Sequence, residues 1–367
     1  MTVPILHTKL HVPAPQLNLV PRPRLINLLR DSATRRLILI SAPAGYGKTI
    51  LLSDFAHSSP LPIGWFQIDA GDNDVVTFLE YLIAALEELR KDFGRTTLSL
   101  IWGMETSGFQ VEHILNSLVN EMEEIPEDFV LILDDYHFIS SPTIHAALGH
   151  LLFHLPARAH LIISSRTDPP LPLARLRAHS ELVEVRVPEL RFTTEEAVLF
   201  FKQTVGSDIS PEDVEALEDK TEGWVIGLKL AASSMAGLRD KEAFTQKFRG
   251  TNRYVFDYLV EEVFNRQPPE VQDFMVRTAI LDQMSTSLCD EVLGMGSSED
   301  FLEDLDRGNL FSLPLDEERR WYRYHHLFSE FLQGQLERTY PEERARLCLR
   351  AGEWVFLGND MCGYSSS

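Results

Sequence analysis

Short apolar runs alternate with helical patterns over the first half of the chain. The runs end in small or polar residues, as buried strands do. The predicted strands are residues 37–41, 63–68, 129–133, 160–164 and 182–185. Apolar residues recur with the helical period at residues 75–90, 111–124, 143–154 and 171–179. This alternation predicts an α/β fold with a parallel sheet that is covered on both faces.

The pattern becomes helical after residue 193. Thr193 precedes Glu195 and Glu196, which is typical of an N-cap followed by an acidic first turn. Two short strand signals at residues 310–314 and 321–324 flank a charged turn. Helices followed by such a pair indicate a winged-helix module. The helices of this half are predicted at residues 194–205, 211–220, 224–238, 252–265, 269–281, 301–307, 326–336 and 342–356.

A glycine-rich segment follows the first predicted strand directly. Residues 42–49 read Ala-Pro-Ala-Gly-Tyr-Gly-Lys-Thr, a phosphate-loop pattern with alanine at its first position. Its glycines let successive backbone N–H groups point at an anion. Lys48 would place a positive charge near the β- and γ-phosphates, and Thr49 would offer a hydroxyl to Mg²⁺. The predicted nucleotide-binding residues are Ala42, Gly45, Tyr46, Gly47, Lys48 and Thr49. A glycine-rich turn that happens to precede a lysine is the alternative.

Two carboxylates follow the apolar run at residues 129–133. In a parallel sheet, ligands gather at the carboxyl ends of strands, and this strand is expected to neighbour the loop strand. Asp134 could hold Mg²⁺ there, and Asp135 could orient or deprotonate an attacking water. The alternative is an acidic turn at a strand end. The pairing with the Lys48 loop favours the metal and base roles.

Four further residues are candidates for a functional role. Arg166 follows the strand at residues 160–164 and could contact a γ-phosphate, or it could be a surface arginine. Trp224 lies between two predicted helices and would pack near a base or fill the helical core. His325 and His326 open a predicted helix, but adjacent histidines point in different directions and make a weak metal site.

Composition excludes several classes of protein. The chain has 367 residues, enough for two or three domains, and 44% of them are hydrophobic. A net charge of −21 disfavours nucleic-acid binding. Cys289, Cys348 and Cys362 lack metal-ligand spacing. No signal peptide or membrane-length apolar run is seen, so we expect a cytoplasmic protein that does not contact membranes.

Taken in order, these motifs resemble the MalT-type, large ATP-dependent LuxR-family transcription regulators of the STAND class of P-loop ATPases. The resemblance extends to about residue 355. It rests on Val20-Pro21-Arg22-Pro23-Arg24-Leu25, the loop at residues 42–49, Leu133-Asp134-Asp135-Tyr136-His137, Ser164-Ser165-Arg166, Thr221-Glu222-Gly223-Trp224 and Tyr324-His325-His326-Leu327-Phe328.

The resemblance implies a nucleotide switch. ADP would hold a resting monomer, an inducer together with ATP would favour self-association, and slow hydrolysis would reset the protein. By position, Asp134 would bind the metal together with Thr49, Asp135 would be the base and Arg166 the γ-phosphate sensor. The role implied for His325 is contact with the β-phosphate of ADP. Arg22 or Arg24 would line the adenine end.

The expected domains are a P-loop domain at residues 1–190, a helical domain at 191–268 and a winged-helix domain at 269–338. Residues 339–367 would begin a truncated helical-repeat region. Family members continue into a sensor domain and a DNA-binding helix-turn-helix, so this fragment is not expected to bind DNA directly, and its inducer is unknown. The alternatives are a P-loop enzyme or AAA-type ATPase, and a nucleotide-binding remnant that does not signal.

Overall fold

A five-stranded parallel sheet forms the centre of the N-terminal half of the chain in this computed structural model. The structure describes residues 4–15, 19–103, 111–206, 209–235, 238 and 240–356. The strand order is β2–β3–β4–β1–β5. The strands are β1 (Leu37–Ser41), β2 (Ile63–Gln67), β3 (Phe129–Asp134), β4 (Ala159–Ser165) and β5 (Leu182–Val185).

Every residue of β1, β3 and β4 is buried, which means that both faces of the sheet are covered. The prediction of a covered parallel sheet is therefore confirmed. Short 3₁₀ turns lie at His7–Lys9, Ala70–Asp72 and Tyr136–Phe138. The helices are α1 (Pro23–Ser32), α2 (Lys48–Ser58), α3 (Val75–Glu87), α4 (Arg95–Gly103), α5 (Val111–Glu123), α6 (Pro142–His154), α7 (Leu173–Ala178) and α8 (Val187–Leu190).

The lateral order of the strands differs from expectation at one place. The acidic strand β3 pairs with β2 and β4, and β4 lies between it and β1. The expectation that β3 neighbours the loop strand was wrong. Periodicity within a strand carries no information about its neighbours, because the order depends on how far each crossover travels. As a consequence, the end of β4 lies between the phosphate loop and the paired carboxylates.

The second half of the chain is helical with one small antiparallel sheet. Thr193 caps α9 in a reciprocal arrangement with Glu196, with bonds of 3.3 and 3.1 Å, so the predicted N-cap is confirmed. A 3₁₀ turn lies at Phe264–Arg266. The elements are α9 (Thr194–Thr204), α10 (Pro211–Thr221), α11 (Val225–Met235), α12 (Lys241–Lys247), α13 (Arg253–Glu262), α14 (Pro269–Thr278), α15 (Thr286–Leu293), α16 (Ser298–Arg307), β6 (Ser312–Pro314), β7 (Tyr322–Tyr324), α17 (His326–Thr339) and α18 (Glu343–Phe356).

The small sheet is the predicted wing. Strands β6 and β7 pair antiparallel, and Met284 adds an isolated bridge to Tyr322 through two backbone bonds of 2.7 and 2.9 Å. Beneath it, the rings of Phe328 and Phe331 stack at 5.8 Å and are fully buried. The wing is thus held by an apolar core and by main-chain pairing.

The described residues form two compact units. Unit 1 comprises Met1–Ala42 and Tyr46–Leu190, and unit 2 comprises Pro43–Gly45 and Arg191–Ser367. The division of unit 2 into helical and winged domains stays a prediction. Within the described part of the chain, no helix combines the length and apolar character needed to cross a bilayer.

Candidate nucleotide-binding site

The phosphate loop connects β1 to α2, as the sequence predicted. Gly45 and Gly47 have φ values of +85° and +79°, which L side chains rarely adopt. Ala42 is buried with φ outside that region, so an alanine is tolerated at the first position of the pattern. Gly47 is the N-cap of α2, which begins at Lys48. The N-terminus of this helix therefore presents its free N–H groups where a phosphate would bind.

Lys48 is a buried cation. Its Nζ donates a 2.6 Å hydrogen bond to the Ala42 carbonyl oxygen. Burial lowers its pKa to about 8, with the charge of Arg166 acting in the same direction and those of Asp135 and Asp134 acting against it. These four side chains therefore interact electrostatically at the carboxyl edge of the sheet. An ammonium in this setting would gain from an added anion.

Asp134 ends β3 and is fully buried. Its Oδ1 accepts a short hydrogen bond from the Ser164 hydroxyl, and its Oδ2 has no hydrogen bond of standard geometry among the described residues. Burial, and then the charge of Asp135, hold the pKa of Asp134 above its usual range, while the Ser164 and Thr49 hydroxyls and the Lys48 charge oppose that rise. A buried carboxylate oxygen with the Thr49 hydroxyl nearby fits Mg²⁺, which takes few protein ligands besides phosphate oxygens.

Within the described residues, no group of three or more His, Cys, Asp or Glu side chains could hold a metal ion. The predicted magnesium site therefore depends on phosphate and water to complete its coordination.

Asp135 follows in the left-handed conformation, with φ of +61°. Its backbone N–H donates to Ser164 Oγ at 3.0 Å, and its Oδ2 accepts from Gln67 Nε2 at 2.8 Å. Burial raises its pKa, while Lys48, Arg166 and the Gln67 hydrogen bond oppose that rise. A carboxylate with a raised pKa at such an edge is suited to accept a proton.

Two side chains at this edge escaped the sequence analysis. Ser164 was noted only as a polar strand end, yet it accepts from the Asp135 amide and donates to Asp134. Gln67 was not singled out. Its contact with Asp135 follows from the register of β2 and β3, in which Gln67 pairs with Asp134. That register was the missing signal.

Arg166 follows β4, and its charge lowers the pKa of both Lys48 and Asp135. The structure thus brings it near the predicted phosphate-binding residues. Arg22 and Arg24 also belong to unit 1, and their role at the adenine end stays a prediction. Arg22 Nη2 donates to the Leu190 carbonyl at 2.8 Å, and Arg24 Nη1 donates to the Glu189 carbonyl at 2.6 Å. Their contacts described here are with the main chain of α8.

His325 lies in unit 2 and is almost completely buried. Its Nε2 is 2.9 Å from the Thr221 carbonyl oxygen, which can only accept, so Nε2 carries the proton. Nδ1 is buried without a hydrogen-bond partner among the described residues. Burial lowers the pKa of His325 to about 4, with Glu222 opposing this effect and Arg191 and Arg323 adding to it. The ring is therefore neutral at pH 7.

Glu222 joins the turn after α10 to β7. Arg323 donates to both of its carboxylate oxygens, at 2.8 and 2.7 Å, and the His326 N–H donates to Oε1 at 2.9 Å. These partners outweigh the effect of burial and lower the pKa of Glu222 to about 2. We refer to Glu222 and Arg323 as the clasp. It fixes the segment that carries His325 against the end of α10.

Trp224 fills the core of unit 2, which is one of the two roles considered for it. The indole is fully buried, and its ring contacts Phe311 and His325 edge-on at 5.1 and 6.0 Å. Its Nε1 donates a 3.0 Å hydrogen bond to the Ala44 carbonyl, which belongs to the same unit. The Gly45 carbonyl accepts from the Ile226 N–H at 3.1 Å. The middle of the phosphate loop is thus held by two donors from the start of α11.

Comparison with known proteins agrees with this geometry. Residues 260–344 match the family described as the MalT winged helix domain. The HTH-type transcriptional regulator MalT of Vibrio cholerae serotype O1 is 33% identical over 345 residues, which are 93% of this chain and 38% of that protein. The chain is therefore similar to MalT-type regulators over most of its length.

A second relative is a protein kinase. The serine/threonine-protein kinase PknK of Mycobacterium tuberculosis is 31% identical over 357 residues, or 96% of this chain and 32% of the kinase. This chain therefore spans less than two fifths of either relative.

A solved structure supports the fold alone. The Walker-type ATPase PABY2304 of Pyrococcus abyssi aligns with a TM-score of 0.58 at 16% identity, over 86% of this chain and 96% of its own. Together with the sheet and the winged-helix match, it establishes a P-loop NTPase fold followed by helices and a winged helix.

Proposed function

We propose that this chain is an ATP/ADP-binding switch module of a transcription regulator, that it hydrolyses ATP slowly, and that it works in the cytoplasm. The observation that carries the proposal is the electrostatic interaction of Lys48, Asp134, Asp135 and Arg166 at one edge of the sheet. A phosphate loop beside an acid pair and a second cation is the arrangement that phosphoryl transfer requires.

Different residues are proposed to bind the phosphates, the magnesium ion and the adenine end of the nucleotide. Lys48 and the N–H groups at the start of α2 bind the phosphates, with Gly45, Tyr46 and Gly47 shaping the loop after Ala42. Thr49 and Asp134 would hold Mg²⁺, which would neutralise phosphate charge in the site. Arg22 and Arg24 are proposed at the adenine end on the family resemblance.

Hydrolysis needs a proton acceptor. Asp135 takes a proton from water as the water oxygen bonds to the γ-phosphorus, and the bond to the β–γ bridging oxygen breaks so that ADP leaves with its electron pair. Arg166 stabilises the charge that develops on the transferred group. The raised pKa of Asp135 suits this role.

Lys48 provides the direct test of nucleotide binding. Lys48→Ala should weaken ATP and ADP binding about a hundredfold, because a charge-assisted contact in a buried site is lost. Lys9→Ala is a suitable control, since Lys9 is a mostly buried lysine of unit 1 that pairs with Asp69 and Asp72. Titration calorimetry measures both affinities. Equal affinity in the Lys48 variant and the parent would refute the proposal.

His325 is proposed to contact the β-phosphate of ADP. Nε2 already donates to Thr221, so a phosphate contact must use a proton on Nδ1, and the ring must then be positively charged. Since His325 is neutral at pH 7 without nucleotide, ADP binding should take up a proton at this ring.

Calorimetry in buffers of different ionisation enthalpy measures how many protons the protein takes up when ADP binds. At pH 7 the parent should bind ADP with proton uptake, and His325→Gln should take up less and bind more weakly. Identical uptake and affinity in the two proteins would remove His325 from the site.

A switch and a fast enzyme differ in turnover. We expect slow steady-state hydrolysis with tight ADP retention, whereas a motor or a metabolic P-loop enzyme would turn over quickly. One relative is an HTH-type transcriptional regulator and the other is a serine/threonine-protein kinase, so identity over this stretch does not by itself choose the output. We propose an inducer, small molecule or protein, and self-association in the ATP state, with no direct DNA binding by these residues.

A further inference from the structure

Asp168 lies two residues after Arg166 and connects the carboxyl ends of three adjacent strands. It follows β4, and the Ser41 hydroxyl at the end of β1 donates a 2.7 Å hydrogen bond to its Oδ1. Arg186, which follows β5, donates from Nη1 to Oδ1 at 2.8 Å and from Nη2 to Oδ2 at 2.7 Å. The order β4–β1–β5 in the sheet brings these three strand ends together.

The segment that carries Arg166 is a short bend between the end of β4 and Asp168. Ser165 closes β4, and its carbonyl oxygen accepts from the Ala42 N–H at 3.3 Å. The Ser165 hydroxyl accepts from the Thr167 N–H at 3.2 Å. The near end of the bend is therefore held by the sheet, and its far end is held by the side chain of Asp168.

Arg186 is itself held in place by a second carboxylate. Its Nη2 also donates to Glu184 Oε1 at 2.6 Å, and Arg177 donates to both Glu184 oxygens at 2.9 and 3.1 Å. The side chains of Arg186 and Asp168 are 31% and 36% exposed, so solvent screens part of their attraction. A guanidinium that donates two parallel bonds to a carboxylate fixes direction as well as distance, because both groups are planar. The pair is therefore suited to orient the bend.

We propose that the Asp168–Arg186 pair positions Arg166 for contact with a γ-phosphate, and that it thereby sets how well the site distinguishes ATP from ADP. The inference rests on the proposed function, because it takes Arg166 as the γ-phosphate sensor. The charge of Arg166 acts on Lys48 and Asp135, at the edge of the sheet where the phosphates would bind. Asp168 and Arg186 act on the nucleotide through Arg166, which makes them positioning residues.

The test compares a non-hydrolysable ATP analogue with ADP, both with Mg²⁺, by calorimetry on the full chain. Arg186→Met keeps the length of the side chain and removes both hydrogen bonds to Asp168. It should weaken binding of the analogue about tenfold and slow single-turnover ATP hydrolysis about tenfold, because a positioned charge-assisted contact is lost. Affinity for ADP should stay within about twofold of the parent, since ADP has no γ-phosphate. Arg177→Met is the matched control, because Arg177 pairs with Glu184 in the same charged cluster, and it should change none of these values.

Two further variants separate positioning from general damage. Asp168→Asn removes the charge of the other partner and should reproduce both losses. In the Arg166→Ala background, Arg186→Met should cause no further loss. The inference is wrong if Arg186→Met or Asp168→Asn weakens the analogue and ADP equally, if either leaves the analogue unaffected, or if the double variant loses more than Arg166→Ala.

Failure of the proposed function gives a different pattern. If Arg166→Ala binds the analogue and hydrolyses ATP as the parent does, the sensor assignment fails and the role of the Asp168–Arg186 pair falls with it. If Lys48→Ala binds nucleotide normally, the proposed function fails on separate grounds.

Discussion

Lys48 shows how one residue can make a site responsive to pH. An ammonium that is buried beside a second cation is held less tightly than one in water, and its pKa lies at about 8. A bound polyphosphate would stabilise the charged ammonium and so raise the pKa of Lys48. Affinity for the proposed nucleotide would therefore be linked to protonation of this single side chain.

We expect affinity for ADP to fall above pH 8. Below that value Lys48 is already charged. Above it the amine must be protonated before ADP binds, so the affinity should fall about tenfold per pH unit until the pKa of Lys48 in the complex is reached. Calorimetric titration between pH 7 and pH 10 measures the slope. The Lys48→Ala variant should lack the part of this dependence that begins near pH 8, and should keep the part due to proton uptake at His325. A parent affinity that is constant across the range would contradict the expectation.

Gly45 illustrates a second residue-scale constraint. An added Cβ would lie 2.6 Å from Trp224 Nε1 and 2.8 Å from Ile226 Cγ1, at a φ of +85°. Gly47 has a similar φ of +79°, but a Cβ there would meet no atom within 4 Å. The two glycines therefore separate backbone strain from crowding.

Gly45→Ala should destabilise the protein more than Gly47→Ala. Strain alone costs about 1 kcal/mol, and crowding against the buried indole adds roughly 1–3 kcal/mol. Thermal unfolding without nucleotide, followed by circular dichroism, compares the two. Equal melting temperatures would show that the loop accommodates the Cβ added at Gly45 without an extra loss of stability.

At the scale of elements, the sequence predicts strands and helices that have a clear local apolar pattern. It misses features that depend on contacts between distant segments, such as the order of strands. β1 and β5 have the bounds that the apolar runs predicted, and the other sheet strands differ by a residue or two at their ends. The short helices α12 and α15 were not predicted, since seven or eight residues give a weak period. The lateral order of strands was wrong at β3.

The candidate site divides in the same way. Some site residues directly follow predicted strands, so the apolar pattern of the sequence was enough to locate them. They are the loop, Asp134, Asp135 and Arg166. Gln67 needed the pairing of two strands that are distant in sequence. The tautomer of His325 needed the carbonyl of Thr221, which lies 104 positions away. Contacts of this kind are fixed by tertiary packing, to which a single sequence gives no access.

The clasp between α10 and β7 is an element-scale feature that can be measured. Glu222→Gln should cost about 2 kcal/mol of unfolding free energy, because it leaves the partly buried guanidinium of Arg323 without its charged partner. Glu303→Gln on α16 is the matched control, since the Arg307–Glu303 pair is exposed and should change stability by less than about 0.5 kcal/mol. Denaturant titration at pH 7 compares them. Similar losses in the two variants would mean that the clasp contributes no more than a surface pair.

At the scale of the whole molecule, charge and division into units set the limits on function. A net charge of −21 works against association with nucleic acid, in agreement with the proposal that these residues do not bind DNA directly. The relatives are longer than this chain by more than twofold.

The membership of Pro43–Gly45 in unit 2 bears on how this protein can be dissected. A polypeptide cut after Leu190 would retain the whole phosphate loop and lose Trp224 and Ile226, the donors to the carbonyls of Ala44 and Gly45. These two main-chain oxygens would then be exposed to solvent, and the loop could adopt conformations that the two hydrogen bonds prevent in the intact chain. Weak nucleotide capture by such a shortened protein would report a loosened scaffold rather than an absent site.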